Sequence, residues 1–194
     1  MRLQRALLTS FISLLLASGA SAQLMDENLL QGMPAGYKIG FQERQGPIII
    51  TEMVPESESA EEWTEMVTSQ LFIGLKSVSP ETFRAESRKK WLEACKDGNF
   101  AEIASGEENG YPMALWMLSC PHSKAPGRPE ITWFKAIRGQ DAFYVVQKSF
   151  RFEPSNEQVQ QSMRYLRQIS VCDTRIPQRA CPVIKPPEAE GARN

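Results

Sequence analysis

Glutamate side chains are crowded into one short stretch of the sequence. No lysine or arginine occurs between Arg44 and Lys76, and that interval contains Glu52, Glu56, Glu58, Glu61, Glu62 and Glu65. A local negative field of this kind attracts a cationic partner, and carboxylate oxygens are also the ligands that calcium prefers. A solvated loop without any partner is the third alternative. We call residues 52–65 the acidic segment.

The acidic segment supplies the candidate partner-binding residues. They are Glu56, Glu58, Glu61, Glu62, Trp63 and Glu65. Calcium is the weakest of the three alternatives, because the EF-hand spacing of Asp or Asn residues around a central glycine is missing. We therefore assign no metal ligands.

Catalytic patterns are not found in the sequence. A nucleophile with a histidine base would have to use His122, the single histidine, which lies in a loop rich in proline and glycine, typical of a solvated residue. Nothing singles out a pair of carboxylates for glycosidic chemistry, and no glycine-rich phosphate loop occurs. The sequence predicts a protein that is not an enzyme, with no catalytic and no cofactor-binding residues.

Aromatic residues form a second candidate surface on two predicted hairpins. The set comprises Tyr111, Trp116, Trp133, Phe134 and Tyr144. Cross-strand pairing favours aromatic side chains in the core. If some of them faced outward, they would instead form a patch able to anchor a partner.

The N-terminus has the three parts of a secretory signal peptide. Arg2 and Arg5 form a basic start, residues 7–17 are mainly apolar, and Ala20-Ser21-Ala22 is a cleavage motif that predicts a cut before Gln23. The apolar run is too short to cross a bilayer about 30 Å thick, so no stable membrane span is predicted. We expect export to the periplasm of a bacterial-type cell, or secretion. With 22 basic and 23 acidic residues, the chain lacks the excess of basic residues that nucleic-acid binding requires.

The four cysteines are Cys95, Cys120, Cys172 and Cys181. An even number in an exported chain predicts two disulfides. Three pairings are open. The short, turn-rich loop between the last two cysteines favours Cys172–Cys181, which leaves Cys95 with Cys120. A metal or redox site is disfavoured, because there is no Cys-x-x-Cys motif.

Periodicity divides the chain into a signal peptide (1–22), a lead-in (23–33), one α+β domain (34–181) and a disordered tail (182–194). Helices are predicted from Ser79-Pro80 to about Lys96 and from Ser155 to Cys172, on the basis of capping residues and apolar spacing. Strands are predicted at 37–43, 48–54, 64–72, 99–106, 111–120, 131–137 and 142–152; the third has helical spacing as an alternative. This order predicts an antiparallel sheet of six to seven strands with two helices packed on one face.

Residues 34–172 resemble the PsbP-like and DcrB-like group of exported α+β sandwich proteins. The resemblance rests on the order of elements, on the opening Pro-Ala-Gly-Tyr-Lys-Ile-Gly strand and on the segment Trp63-Thr64-Glu65-Met66. Proteins that resemble this group are mostly accessory or binding proteins without catalytic activity, and some exported proteins of similar build neutralise secreted toxins. The resemblance implies a binding role.

Together these features predict a periplasmic or secreted accessory module that binds a protein, with inhibition of a secreted effector as its specific form. The alternative is a periplasmic carrier of a small ligand, or an enzyme, that uses the cleft between sheet and helices. A deep pocket lined by perturbed carboxylates would favour the alternative. A filled core with an exposed acidic and aromatic patch would favour the protein-binding module.

Overall fold

The computed structural model describes residues 25–122 and 127–183. The predicted signal peptide and residues 184–194 of the predicted tail lie outside the described residues. In chain order the elements are β1 (Glu27–Leu30), β2 (Tyr37–Gln45), β3 (Ile48–Pro55), β4 (Glu65–Ile73), α1 (Pro80–Ala94), β5 (Asn99–Glu108), β6 (Tyr111–Cys120), β7 (Glu130–Arg138), β8 (Ala142–Phe150), α2 (Asn156–Gln168) and β9 (Ser170–Asp173), followed by a 3-10 turn at Pro177–Arg179.

Seven antiparallel strands form the main sheet in the order β2-β3-β4-β8-β7-β6-β5. The predicted α+β class with an antiparallel sheet of six to seven strands is confirmed, and the sheet has seven. Segment 65–73 is a strand rather than a helix, because it pairs along its whole length with β8 and over most of it with β3. Each edge strand carries a bulge, at Gly40 in β2 and at Ile103 in β5.

The two helices lie on opposite faces of the main sheet, whereas the sequence analysis expected them on one face. Trp116 and Phe134 point toward α1, and the alternate residues Leu115 and Trp133 point toward α2. Nearly every residue of β7 and β8 is buried. A strand buried on both sides needs cover on both faces, which its nearly continuous apolar composition encodes. We call the two sides the α1 face and the α2 face.

A second, two-stranded sheet joins β1 to β9 and was not predicted. Strand β1 falls within the expected lead-in, and β9 (Ser170–Asp173) begins within the expected second helix, which was predicted to run to Cys172. Helix α2 ends at Gln168 because Ile169 has an extended backbone, and the ammonium of Lys135 accommodates that end by donating hydrogen bonds to the carbonyl oxygens of Leu166 and Ile169. Strands of four residues are too short to show periodicity, and these two partners are far apart in the sequence.

Both disulfides that the sequence favoured are present, Cys95–Cys120 and Cys172–Cys181. The first joins the end of α1 to the end of β6, and the second ties β9 to the chain beyond the 3-10 turn. Within residues 25–122 and 127–183, neither helix is long and apolar enough to cross a membrane.

Candidate functional site

The acidic segment divides into exposed and engaged carboxylates. Glu56, Glu61 and Glu62 are exposed. The Glu58 carboxylate instead accepts hydrogen bonds from the backbone amide of Thr64 (2.7 Å) and from its hydroxyl (2.5 Å). Glu58 therefore holds the loop in shape, and only part of the predicted surface faces solvent.

Trp63 belongs to the core rather than to a docking surface. Its side chain is only 9% exposed and packs with Val54 and Met66. The guanidinium carbon of Arg151 lies 3.8 Å from the centre of its ring, in a cation–π contact that covers the indole. The contacts of the Trp63 side chain are thus made within this chain, with core residues and with Arg151.

Glu65 is part of a polar network on the α2 face. Its Oε2 atom accepts hydrogen bonds from the Lys148 ammonium (2.7 Å) and from the Tyr37 hydroxyl (2.7 Å), and the same ammonium lies 2.6 Å from that hydroxyl oxygen. The Gln158 amide donates to Oε1 of Glu65 at 3.3 Å. The network joins β2, β4, β8 and α2 beside a cavity of about 300 Å³.

The charges of this network satisfy one another. Burial opposes ionisation of Glu65, but hydrogen bonds from Lys148 and Tyr37 outweigh it and lower the pKa of the carboxyl. Burial lowers the pKa of Lys148, although Glu65 opposes the shift, and burial together with Glu65 raises the pKa of Tyr37. Because the carboxylate and the ammonium neutralise each other, the network serves as a link between sheet and helix and offers little charge to a partner.

The aromatic set predicted as a possible surface lies in the interior. Each member is at most 7% exposed: Tyr111, Trp116, Trp133, Phe134 and Tyr144. The rings of Trp116 and Phe134 stack in parallel with centroids 5.1 Å apart on the α1 face. These residues form core layers, and the exposed aromatic patch required by the protein-binding hypothesis is not formed by them.

A cavity of about 470 Å³ lies between α1 and the main sheet. We call it the α1 cavity. Its lining combines helix residues, the Cys95–Cys120 disulfide and side chains of β6, β7 and β8: Ser87, Lys90, Trp91, Ala94, Cys95, Leu118, Cys120, Glu130, Phe134 and Gln147. It is open to solvent on one side and mostly apolar within.

Helix α1 contacts the sheet near both of its ends, and the α1 cavity lies along its C-terminal half. Near its N-terminus, Phe83 packs against Phe143 with centroids 5.2 Å apart. Near its C-terminus, the Trp91 indole donates a hydrogen bond to the Ser119 carbonyl oxygen at 3.2 Å, and the disulfide follows. Ser87, one helical turn before Trp91, and Ala94, just beyond it, line the cavity with small side chains, which leave the volume beside Trp91 unfilled.

The cavity contains few polar groups, and Glu130 is the carboxylate among them. Burial raises the pKa of the Glu130 carboxyl, and the positive charge of Arg151 opposes part of that rise. Gln147 donates a hydrogen bond to Gln70 at 3.2 Å, and Lys90 lies exposed on α1. An apolar cavity with a few polar groups and a perturbed carboxyl is the usual form of a small-molecule site.

A cleft between sheet and helices was expected only for the alternative function, and none of the residues that line the α1 cavity was predicted as a site residue. The available signal was the stripe Phe83, Ser87, Trp91 and Ala94 on α1, in which two small residues alternate with two large ones. His122 is exposed, as its loop position predicted. Among the residues that the structure describes, no group of three or more His, Cys, Asp and Glu side chains is placed to hold a metal ion.

No family model matches the sequence, and a search of curated proteins finds no match.

Proposed function

We propose that this protein is an exported carrier that binds a small, largely apolar molecule in the α1 cavity. The observation that carries the proposal is an open cavity of about 470 Å³ with a mostly apolar lining and a carboxyl whose pKa is raised by burial. Ligand pockets in proteins have volumes of roughly 300–1,000 Å³ and combine apolar walls with a few polar groups. Of the two functions expected from the sequence, the ligand carrier fits this geometry better.

Export is part of the proposal. It is supported by the signal-like sequence at residues 1–22 and by the two disulfides, which persist mainly in oxidising compartments. The Cys95–Cys120 disulfide also forms one wall of the α1 cavity. The protein would therefore act in the periplasm or after secretion, with its cavity formed by the same bond that stabilises the fold.

The resemblance to the PsbP-like and DcrB-like sandwich proteins supports binding rather than catalysis. The polar lining of the α1 cavity agrees with this, since the Ser87 hydroxyl donates its hydrogen bond to the Phe83 carbonyl oxygen at 2.8 Å rather than to a base. We therefore propose a carrier and not an enzyme.

A neutral fluorescent dye, N-phenyl-1-naphthylamine, tests the proposal directly. The full mature protein should bind one dye molecule with enhanced emission, because the dye moves from water into an apolar site. The substitution Ser87→Phe fills the cavity and should weaken binding at least tenfold. Ala85→Phe places the same ring on the exposed side of α1 and should leave binding unchanged. Equal binding by both variants would place the dye elsewhere and contradict the proposal.

Protein binding through the acidic segment is a second candidate function. It is favoured by one observation, the exposure of Glu56, Glu61 and Glu62. Reversal of these three residues to lysine should abolish co-purification of a secreted protein partner. The matched control is reversal of three exposed glutamates of α1, namely Glu81, Glu86 and Glu93. Unchanged co-purification after the first reversal would contradict protein binding through the acidic segment.

A further inference from the structure

We propose that the ligand of the α1 cavity is an organic amine, whose ammonium group pairs with Glu130 while its apolar body lies against Trp91 and Phe134. This proposal rests on the proposed function, because it names the chemical class of the ligand for the same cavity.

Glu130 is placed at one end of the cavity by the strands. It is the first residue of β7 and lies directly opposite Cys120 of β6. Phe134 lies four residues further along β7, so both side chains belong to the α1 face. A ligand that lies along β7 from Glu130 to Phe134 contacts the carboxylate with one end and the aromatic ring with its body.

The described residues give the carboxylate of Glu130 no salt-bridge partner. The positive charge of Arg151 acts on the Glu130 carboxyl, but its guanidinium is stacked on the ring of Trp63. Within the described part of the chain, no ion pair joins Glu130 to a basic side chain. A half-buried carboxylate in an apolar wall is stabilised by a cation that enters beside it. An ammonium group provides that cation together with hydrogen-bond donors.

The aromatic walls add to the preference for a cation. The rings of Trp91 and Phe134 meet edge to face at 89°, with centroids 6.1 Å apart. Aromatic faces attract ammonium groups through their quadrupole, and they also pack against alkyl and aryl carbons. The cavity thus combines the Glu130 carboxylate at one end with aromatic walls that can contact both the ammonium group and the apolar body of an amine.

Other ligand classes fit this arrangement less well. A carboxylate ligand would bring a second negative charge beside Glu130, and the cationic lining residue Lys90 is exposed on α1. An alcohol of the same length would gain the apolar contacts but only a weaker hydrogen bond to the carboxyl. The order expected is therefore amine, then alcohol, then carboxylate.

Displacement of the naphthylamine dye by three matched compounds tests this order. Octylamine should displace the dye at a concentration at least tenfold lower than 1-octanol or octanoate. Glu130→Gln should remove the advantage of the amine and leave displacement by 1-octanol unchanged. Glu93→Gln, on the exposed side of α1, should keep the wild-type order. Equal displacement by amine and alcohol, or strongest displacement by octanoate, would overturn the amine proposal while leaving the carrier intact. Failure of the dye to bind would overturn the carrier itself.

A pH series on the unaltered protein gives a second test that does not depend on folding of a variant. Octylamine stays protonated throughout, so its displacement should weaken as the pH falls through the titration of Glu130, while displacement by 1-octanol stays constant. Among the described residues, Arg151 acts on the Glu130 carboxyl through its charge, and Lys90 lines the same cavity. His122 lies two residues beyond Cys120, and the variant His122→Asn tests whether this histidine contributes to the pH dependence. A pH-independent amine advantage would contradict the proposal.

Discussion

The ammonium of Lys135 donates a 2.5 Å hydrogen bond to the backbone carbonyl oxygen of Ile169, just past the end of α2. The same ammonium donates to the carbonyl oxygen of Leu166 at 3.1 Å and to the Glu108 carboxylate at 2.9 Å. One buried lysine of the sheet therefore satisfies orphan carbonyl groups of the helix. It fixes the point at which the chain leaves α2 and enters β9.

Lys135→Met should destabilise the protein strongly. Methionine preserves the volume but removes the Lys135 donor from the Ile169 carbonyl and the Glu108 carboxylate, and it leaves the Leu166 carbonyl with only the 3.3 Å hydrogen bond from the Ile169 amide. We expect a cost of about 3 kcal/mol in the free energy of unfolding. Urea denaturation measures it. Lys90→Met, at an exposed position of α1, is the control and should stay within about 0.5 kcal/mol of the original protein. A similar small effect at position 135 would contradict the role of the ammonium.

Substitution by glutamine should change the Tm at neutral pH in opposite directions at Glu65 and Glu130. The pKa of Glu65 is lowered in the folded state, so its stabilisation is present above the unfolded pKa and is lost as the pH falls through the folded value. Glu65→Gln should therefore reduce Tm at neutral pH and flatten the loss of stability in acid. Calorimetric Tm values from pH 3 to 7 would show this; an unchanged acid slope would refute it.

The pKa of Glu130 is raised, so the sign is reversed. Its contribution to stability falls as the pH rises from the unfolded pKa through the higher folded value, because the folded state then holds an unfavourable charge. Glu130→Gln should raise Tm of the ligand-free protein at neutral pH by about 1–3 °C. A lower Tm in the same calorimetric series would mean that Glu130 has a structural partner.

The two disulfides should differ in their effect on the cavity. Replacing both cysteines of the Cys95–Cys120 bond by serine should cost about 3–4 kcal/mol, and the same change at Cys172–Cys181 about 2–3 kcal/mol, since the first closes the longer loop. Dye binding should weaken only after the first change, because only that bond lines the α1 cavity. Equal loss of binding in both variants, measured where both remain folded, would argue against this assignment.

Neutral substitution should destabilise the protein at Glu58, which has hydrogen bonds within the acidic segment, but not at Glu62, which is exposed. Glu58→Gln weakens the hydrogen bonds to Thr64 and should cost about 1–2 kcal/mol in urea denaturation. Glu62→Gln changes an exposed side chain and should cost less than about 0.5 kcal/mol. Indistinguishable values would mean that the Thr64 contacts contribute nothing to the loop.

Local signals in the sequence predicted the helix starts and hairpins well. Ser79 accepts a hydrogen bond from the Thr82 amide, and Ser155 and Gln158 form the expected capping box. Asn109 and Gly110 both have positive φ, as a two-residue hairpin turn requires. Each of these features depends on residues a few positions apart, so a short sequence pattern is enough to predict it.

Features that depend on distant parts of the chain could not be predicted in the same way. The sheet of β1 and β9 pairs Glu27 with Asp173, and the link between Lys148 and Glu65 spans 83 residues. The α1 cavity depends on the small side chains of Ser87 and Ala94 beside Trp91, and on how the assembled helix and strands leave the neighbouring space unfilled. A void is a property of the assembled fold rather than of any residue.

The bulges at Gly40 and Ile103 lie in the two strands whose outer sides have no neighbour in the main sheet. An open sheet can recruit another copy through such rows of backbone amides and carbonyls, which is how many fibrillar aggregates grow. A bulge twists its strand and interrupts the row. With one in each border strand, the protein carries protection against self-templated polymerisation at both ends of the sheet.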